Sequence, residues 1–395
     1  MKQSTQNLYN NYILPTYGRY PVSFVRGEGV YLYDDNGKAY LDFASGIGVN
    51  SLGTAHPAWL DAVTKQAAAL GHVSNLYYSE PAAHLAEKLC EISGMQGVFF
   101  ANSGAEANEG AIKTARKYSF DKYGKGRATI ATLVQSFHGR TVTTLAATGQ
   151  DVFHNFFFPF TEGFVHVPAG DISALEALGD DVCAVMLESI QGEGGVLPLS
   201  QEYLCKVQSL CMDRDWILIV DEVQTGIGRT GDWFAFQNAG LNPDIVSFAK
   251  GIAGGLPFGG FLTGARTRDV LKPGQHATTF GGNPVCAAAG LAVLGVLEPL
   301  LPRIQAMGTL LQNEIMRAKL PCVKEVRGRG LMLGVAIQGD VAPRAWVEAL
   351  LSAGLVALTA GQDAIRFLPP LVISEEEVRT GLSIFIDTLR RDPLS

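Results

Sequence analysis

Between residue 81 and about residue 265, apolar runs of strand length alternate with longer amphipathic segments. No other feature of the chain limits its fold so strongly. "GVFFA" (97–101) passes through "NSGAEAN" into a helical stretch reaching about Tyr123. "RATIATLVQSF" and "DDVCAVMLES" (180–189) follow, then a helix opened by Ser200 with Tyr203, Leu204, Val207, Leu210 and Cys211 on one stripe. "WILIVDEV" (216–223), "DIVSFAK" (244–250) and "GGFLTG" (259–264) complete the series. Strands apolar on both faces and separated by helices predict an α/β fold, with a mostly parallel sheet covered on both sides. In such sheets ligands gather at the carboxyl ends of the strands.

The last hundred residues follow a different pattern. A helix near 303–319 precedes "VKEVRGRGLMLGVAI", a second helix at "PRAWVEALLSAG" and the strand-like "AIRFLPPLVIS". A final helix opens with a capping box, Ser374 and Glu377. This predicts a smaller α+β domain over 298–395 and a large domain over 51–297. Residues 1–50, with hairpin character around Asp35–Gly37, are expected to pack with the small domain.

Composition excludes several classes of function. Hydrophobic residues make up 47% of the 395, enough to fill the cores of roughly two domains. A net charge of -7 gives nucleic acid and anionic membranes no electrostatic invitation. The opening stretch lacks the apolar core of a signal peptide, and "VCAAAGLAVLGVL" is too short to span a bilayer and is expected to be a buried helix. Six cysteines without a C-x-x-C pair fit core thiols, so a cytoplasmic location is expected.

Three stretches at strand ends carry chemistry. In "FFANSGAEANEGAIK", Gly104 permits a tight turn, Ser103 adds a hydroxyl, and the helix that follows offers unpaired N–H groups. That combination suits a phosphate, and equally an ordinary helix cap. In "WILIVDEVQTGIGRTG", Asp221 follows an apolar strand directly, where an unpartnered carboxylate is costly. The embedded "GIGRTG" matches a dinucleotide-binding pattern, but "DEVQT" separates its glycines from the strand and no tight helix opens after it. In "SFAKGIAGGLPFGG", Lys250 closes an apolar run ahead of a glycine-rich loop. Alone it fits a lysine that snorkels to solvent. Together, a phosphate cradle, an aspartate and a dehydrated lysine at neighbouring strand ends are the set pyridoxal phosphate requires.

With "SFHGRT", "QGEGG", "TTFGGNP" and "RFLPPLVIS" added, these stretches resemble, in order, the class III pyridoxal-phosphate-dependent aminotransferases, from about residue 12 to the final helix. The resemblance implies the aspartate-aminotransferase type of fold and a homodimer with shared active sites. It makes Lys250 the Schiff-base lysine and Asp221 the partner of the pyridine nitrogen. Ser103, Gly104 and Ala105 would hold the phosphate, with Thr279 reaching it from the neighbouring subunit. Phe137 and Val223 would sandwich the ring, and Gln224 would bond its phenolic oxygen.

Arg140 and Arg366 resemble substrate carboxylate binders, for which a bidentate guanidinium is suited. Glu193 would gate Arg366. The implied reaction moves a donor's terminal amino group to 2-oxoglutarate with ping-pong kinetics. Ornithine-specific relatives carry a tyrosine where this chain has Ile47, and an apolar residue fits a donor whose α-amine is acylated. N-acetylornithine is therefore the expected donor, with ornithine, 4-aminobutyrate and succinyl-diaminopimelate as alternatives. Ser189 in "ESIQGEGG" departs from the proline usual in close relatives.

Overall fold

The computed structural model describes residues 4–391. An N-terminal meander comprises β1 (Phe24–Glu28), β2 (Tyr31–Asp34) and β3 (Ala39–Asp42). The central strands are β4 (Gly97–Ala101), β5 (Thr129–Leu133), β6 (Phe164–Val167) and β7 (Val182–Leu187). A two-stranded ribbon of β8 (Ile190–Gln191) and β9 (Leu197–Pro198) follows, and then β10 (Ile217–Asp221), β11 (Ile245–Phe248) and β12 (Gly259–Thr263). The C-terminal part adds β13 (Val323–Arg329), β14 (Met332–Ile337), β15 (Leu355–Val356), β16 (Leu358–Ala360) and β17 (Ala364–Phe367).

Seven strands form the central sheet in the order β4-β12-β11-β10-β7-β5-β6. Pairing is parallel from β11 through β10, β7 and β5 to β6, and antiparallel on both sides of β12. Strands β7, β10, β11 and β12 are buried along their whole length. Their valine, isoleucine and leucine content follows from helices covering both faces. The helix Gly104–Tyr123 crosses one face against β10, β11 and β12. The apolar helix Pro284–Leu297 packs against the helices Pro57–Ala69 and Glu80–Ser93. It is longer than its sequence suggests, because a short turn at Glu298–Leu300 carries it into the helix Leu301–Arg317. That combined run is long and apolar enough to cross a membrane, but seven residues of its first segment are buried in the protein.

The N-terminal meander joins the C-terminal part. Strand β15 adds to it in parallel, pairing Leu355 with Leu41 and Val356 with Asp42. Phe43, Phe367 and Phe385 then stack edge to face at 5.3 and 5.2 Å. Gly381 lets the last helix approach this cluster, since a Cβ there would lie 2.3 Å from Phe43. The antiparallel sheet β13-β14-β17-β16 carries Arg366 on β17.

Candidate active site

The carboxyl ends of β4, β5, β7, β10 and β11 converge on a cavity of about 490 Å³. Nine of the residues singled out from sequence line it: Ser103, Gly104, Ala105, Phe137, Arg140, Asp221, Val223, Gln224 and Lys250. Each arrives by a short route from a strand. Asp221 is the last residue of β10, and Lys250 opens a 3-10 turn two residues after β11. Ser103 caps the helix Gly104–Tyr123, its hydroxyl accepting from the Glu106 amide at 3.2 Å. Gly104 must be glycine, because a Cβ there would stand 2.7 Å from Val223 Cγ1.

Asp221 is 3% exposed, and both of its oxygens are engaged. Oδ2 accepts from Asn108 Nδ2 at 2.7 Å and lies 2.8 Å from His138 Nδ1, while Oδ1 accepts from the Val223 amide at 3.0 Å. Asn108 is held in turn by the His138 carbonyl at 2.7 Å. Sequence reading missed Asn108 and His138, although both lie inside stretches it quoted. The available signal was a polar residue in a motif at a position that burial would make costly.

Burial lowers the affinity of the Lys250 amine for a proton, with Arg366 acting in the same direction. Glu193, Asp221 and Glu188 pull against them. Arg366 sits beside Gln224, its Nη1 2.6 Å from Glu193 Oε1 and 3.0 Å from Gln224 Oε1. Burial raises the Glu193 carboxyl, but Arg366 and Lys250 outweigh it and hold the group below its ordinary range. Only 3% of the Arg366 side chain is exposed against 28% for Glu193, so the carboxylate has room to leave. Arg140 points into the open side, 3.9 Å above the Phe153 ring and 5.5 Å from that of Phe137. It forms no salt bridge among the described residues.

Four sequence candidates do not line this cavity: Glu193 and Arg366, which sit beside its wall at Gln224, and Ile47 and Thr279, which lie elsewhere. Ile47 lines a neighbouring one of about 930 Å³ with Tyr17, Arg19 and Tyr20. Its φ of 68° is left-handed, a strained state for a β-branched residue. Thr279 lines a third cavity of about 430 Å³ with Glu106, Glu109 and His276. Ser189 keeps its backbone bond to the Leu199 amide at 3.0 Å, but its buried hydroxyl has no partner among the described residues.

A helix start whose first residue leaves no room for a Cβ, a buried carboxylate and an amine with lowered proton affinity face one space. That donor set fits pyridoxal phosphate. The chain matches the family model described as "Aminotransferase class-III" over residues 12–389. An acetylornithine aminotransferase of Haemophilus ducreyi is 52% identical over 382 residues, 96% of each chain. One from Caldanaerobacter subterraneus is 48% identical, covering 96% of this chain and 97% of that one. Among solved structures, an ornithine aminotransferase from Toxoplasma gondii superposes with a TM-score of 0.94 at 33% identity, covering 98% and 96% of the two chains. An acetylornithine aminotransferase from Elizabethkingia anophelis does so with a TM-score of 0.87 at 33% identity, covering 98% and 100%. With a family match across nearly the whole chain, and with Lys250, Asp221 and the helix start at Ser103–Ala105 meeting in one cavity, the protein belongs to the class III aminotransferases.

Proposed function

We propose that this enzyme moves the terminal amino group of N-acetylornithine to 2-oxoglutarate, giving N-acetylglutamate semialdehyde and glutamate, a step of arginine biosynthesis. The observation that carries this reading is the Arg366–Glu193 pair at 2.6 Å beside the Lys250 cavity. A carboxylate that can neutralise a buried arginine and then leave gives one site two states. One state suits a donor with an uncharged end near Arg366, the other a dicarboxylic acceptor. The family match and the acetylornithine aminotransferases at 52% and 48% identity support the choice of donor.

Bound in the cavity, pyridoxal phosphate supplies a carbonyl that condenses with amines and a ring that absorbs the electron pair left on deprotonation. Ser103, Gly104, Ala105 and the helix start would hold the phosphate, and Phe137 and Val223 would pack against the ring. Asp221 would keep the ring nitrogen protonated, its carboxylate fixed by Asn108 and His138. Gln224 would bond the phenolic oxygen. Lys250 moves the proton from the donor carbon, a task its lowered proton affinity favours. Arg140 takes the donor's α-carboxylate.

Residues 1–50 and 298–395 act as one small domain on the large domain 51–297, a division supported by the β3–β15 pairing. The working unit is a homodimer in which Thr279 completes the neighbour's phosphate site. The exposed Leu76, Tyr78 and Phe280 close to Thr279 favour this arrangement. All six cysteines are free, which favours a reducing, cytoplasmic setting.

The test is a comparison of first half-reaction rates of the holoenzyme with N-acetylornithine, ornithine and 4-aminobutyrate, read from the cofactor's visible absorbance. N-acetylornithine should bleach the band fastest. Ornithine ahead by a large factor would overturn the choice of donor.

A further inference from the structure

Glu188 directly follows β7, is 4% exposed and lines the wall of the Lys250 cavity, yet no step above uses it. Its two oxygens reach two different segments. Oε1 accepts from the Phe137 amide at 2.9 Å, and Oε2 accepts from the Gly192 amide at 3.0 Å. The first segment carries Phe137 and Arg140, and the second leads into Glu193. Gly192 is also fixed from its other side, since its carbonyl accepts from Arg366 Nη1 at 3.3 Å. A Cβ on Gly192 would lie 2.4 Å from the Gln224 side chain, so the backbone is pressed onto the pocket floor. The backbone before Glu193 is thus immobilised while its side chain remains part exposed.

We propose that Glu188 is a positioning residue that locks the ring-stacking segment to the gate segment, so that only the Glu193 side chain moves between half-reactions. The lock requires an ionised carboxylate. Both partners are main-chain N–H groups that can only donate, and a carboxylate is the side chain whose two oxygens both only accept. A glutamine would turn an NH₂ against one of them. The groups facing Glu188 are His138, Asp221 and Lys250. Burial first, with Asp221 adding to it against His138 and the two amides, pushes the carboxyl up to about 7. Protonation on the acid side of neutrality therefore loosens the lock.

The inference rests on Arg366 being the 2-oxoglutarate binder, and the experiment separates the two. The KM for 2-oxoglutarate is measured between pH 6 and 8.5 in the holoenzyme and in Glu188→Gln, Glu188→Asp and Arg366→Ala, with visible circular dichroism of the bound cofactor recorded alongside. Wild-type KM should rise as pH falls through about 7. Glu188→Gln should hold KM about tenfold higher with little pH response, the loss expected of one charge-assisted hydrogen bond, and should change the cofactor signal. Glu188→Asp keeps the charge but is too short to reach both amides, and should show the same altered signal. Should Gln not fold, Asp carries the test. A folded Gln or Asp variant with wild-type KM, pH response and cofactor signal overturns the inference. An unchanged KM in Arg366→Ala overturns the gate reading and the inference with it.

Discussion

Lys250 has φ 46°, a left-handed backbone that disfavours a non-glycine residue by about 1–2 kcal/mol. The chain holds it there at the start of the turn Lys250–Ala253, two residues after β11, on the wall of the cavity that Asp221 also lines. Lys250→Ala should fold, lose the cofactor's bound chromophore, and lower kcat by at least about 10²–10⁴-fold, the range for removing a positioned proton-transfer group. Absorbance spectra and turnover check this, and a variant that retains both would remove Lys250 from the site. The neighbouring acid Glu222 has a different role. It accepts from the Thr225 hydroxyl at 2.5 Å and from the Ala235 and Phe236 amides at 3.1 and 2.7 Å, tying two loops together. Burial first, with Asp221 beside it, pushes its carboxyl up to about 7 against these donors. In the unfolded chain the group ionises near 4.5, so the unfolded state releases its proton first as pH rises. Its contribution to stability is therefore greatest below about 4.5 and falls away up to about 7, by on the order of 3 kcal/mol. Glu222→Gln should lose that slope, so its Tm should gain on wild type between pH 5 and pH 8. An equal Tm gap at both pH values would refute this assignment.

Two serines show how the same local chemistry serves different ends at the level of the element. Ser374 and Ser103 each cap a helix, accepting from the amide three residues on at 3.2 Å. Ser374 sits in a full capping box with Glu377, away from the cavity, so Ser374→Ala should lower stability by about 1 kcal/mol and leave cofactor affinity unchanged. Ser103 lines the cavity, so Ser103→Ala should also raise the cofactor dissociation constant, by about tenfold for one lost phosphate hydrogen bond. Thermal melts and a fluorescence titration with pyridoxal phosphate separate the two effects. Caps of this kind were legible in the sequence because their partners lie three residues apart. So were the central strands, whose apolar runs match β4, β10 and β11 to within two residues. Strand direction was not legible: "GGFLTG" reads like its neighbours, yet β12 runs antiparallel to both of them. Strand β6 was missed, being short, only partly buried and at the sheet edge. The contacts of Asp221 with His138 and Asn108 span 83 and 113 residues. Sequence places those side chains in motifs, but only the crossing of strands and helix brings them together.

At the scale of the whole molecule, the placement of Thr279 is the most informative feature. It lines a cavity apart from Lys250, in a loop held to the 72–78 segment by Asn75 Nδ2, which donates to the Gly281 carbonyl at 2.8 Å. Around it Leu76, Tyr77, Tyr78 and Phe280 are exposed, from 63% to 106%. An apolar patch of that size and exposure favours the homodimer proposed above. If a second copy covers it, each site takes Lys250 from one subunit and Thr279 from the other. Complementation follows from that geometry. Lys250→Ala lacks the amine, and Thr279→Asp would set a carboxylate against the phosphate, so each homodimer should be nearly inactive. In a mixed dimer one site carries both defects and the other carries neither. Co-expressing the two variants with different tags and purifying the doubly tagged species should recover about half of wild-type kcat per dimer, because one of two independent sites is intact. If Thr279 served its own subunit, each site of the mixed dimer would carry one defect, and doubly tagged protein would stay as inactive as its parents.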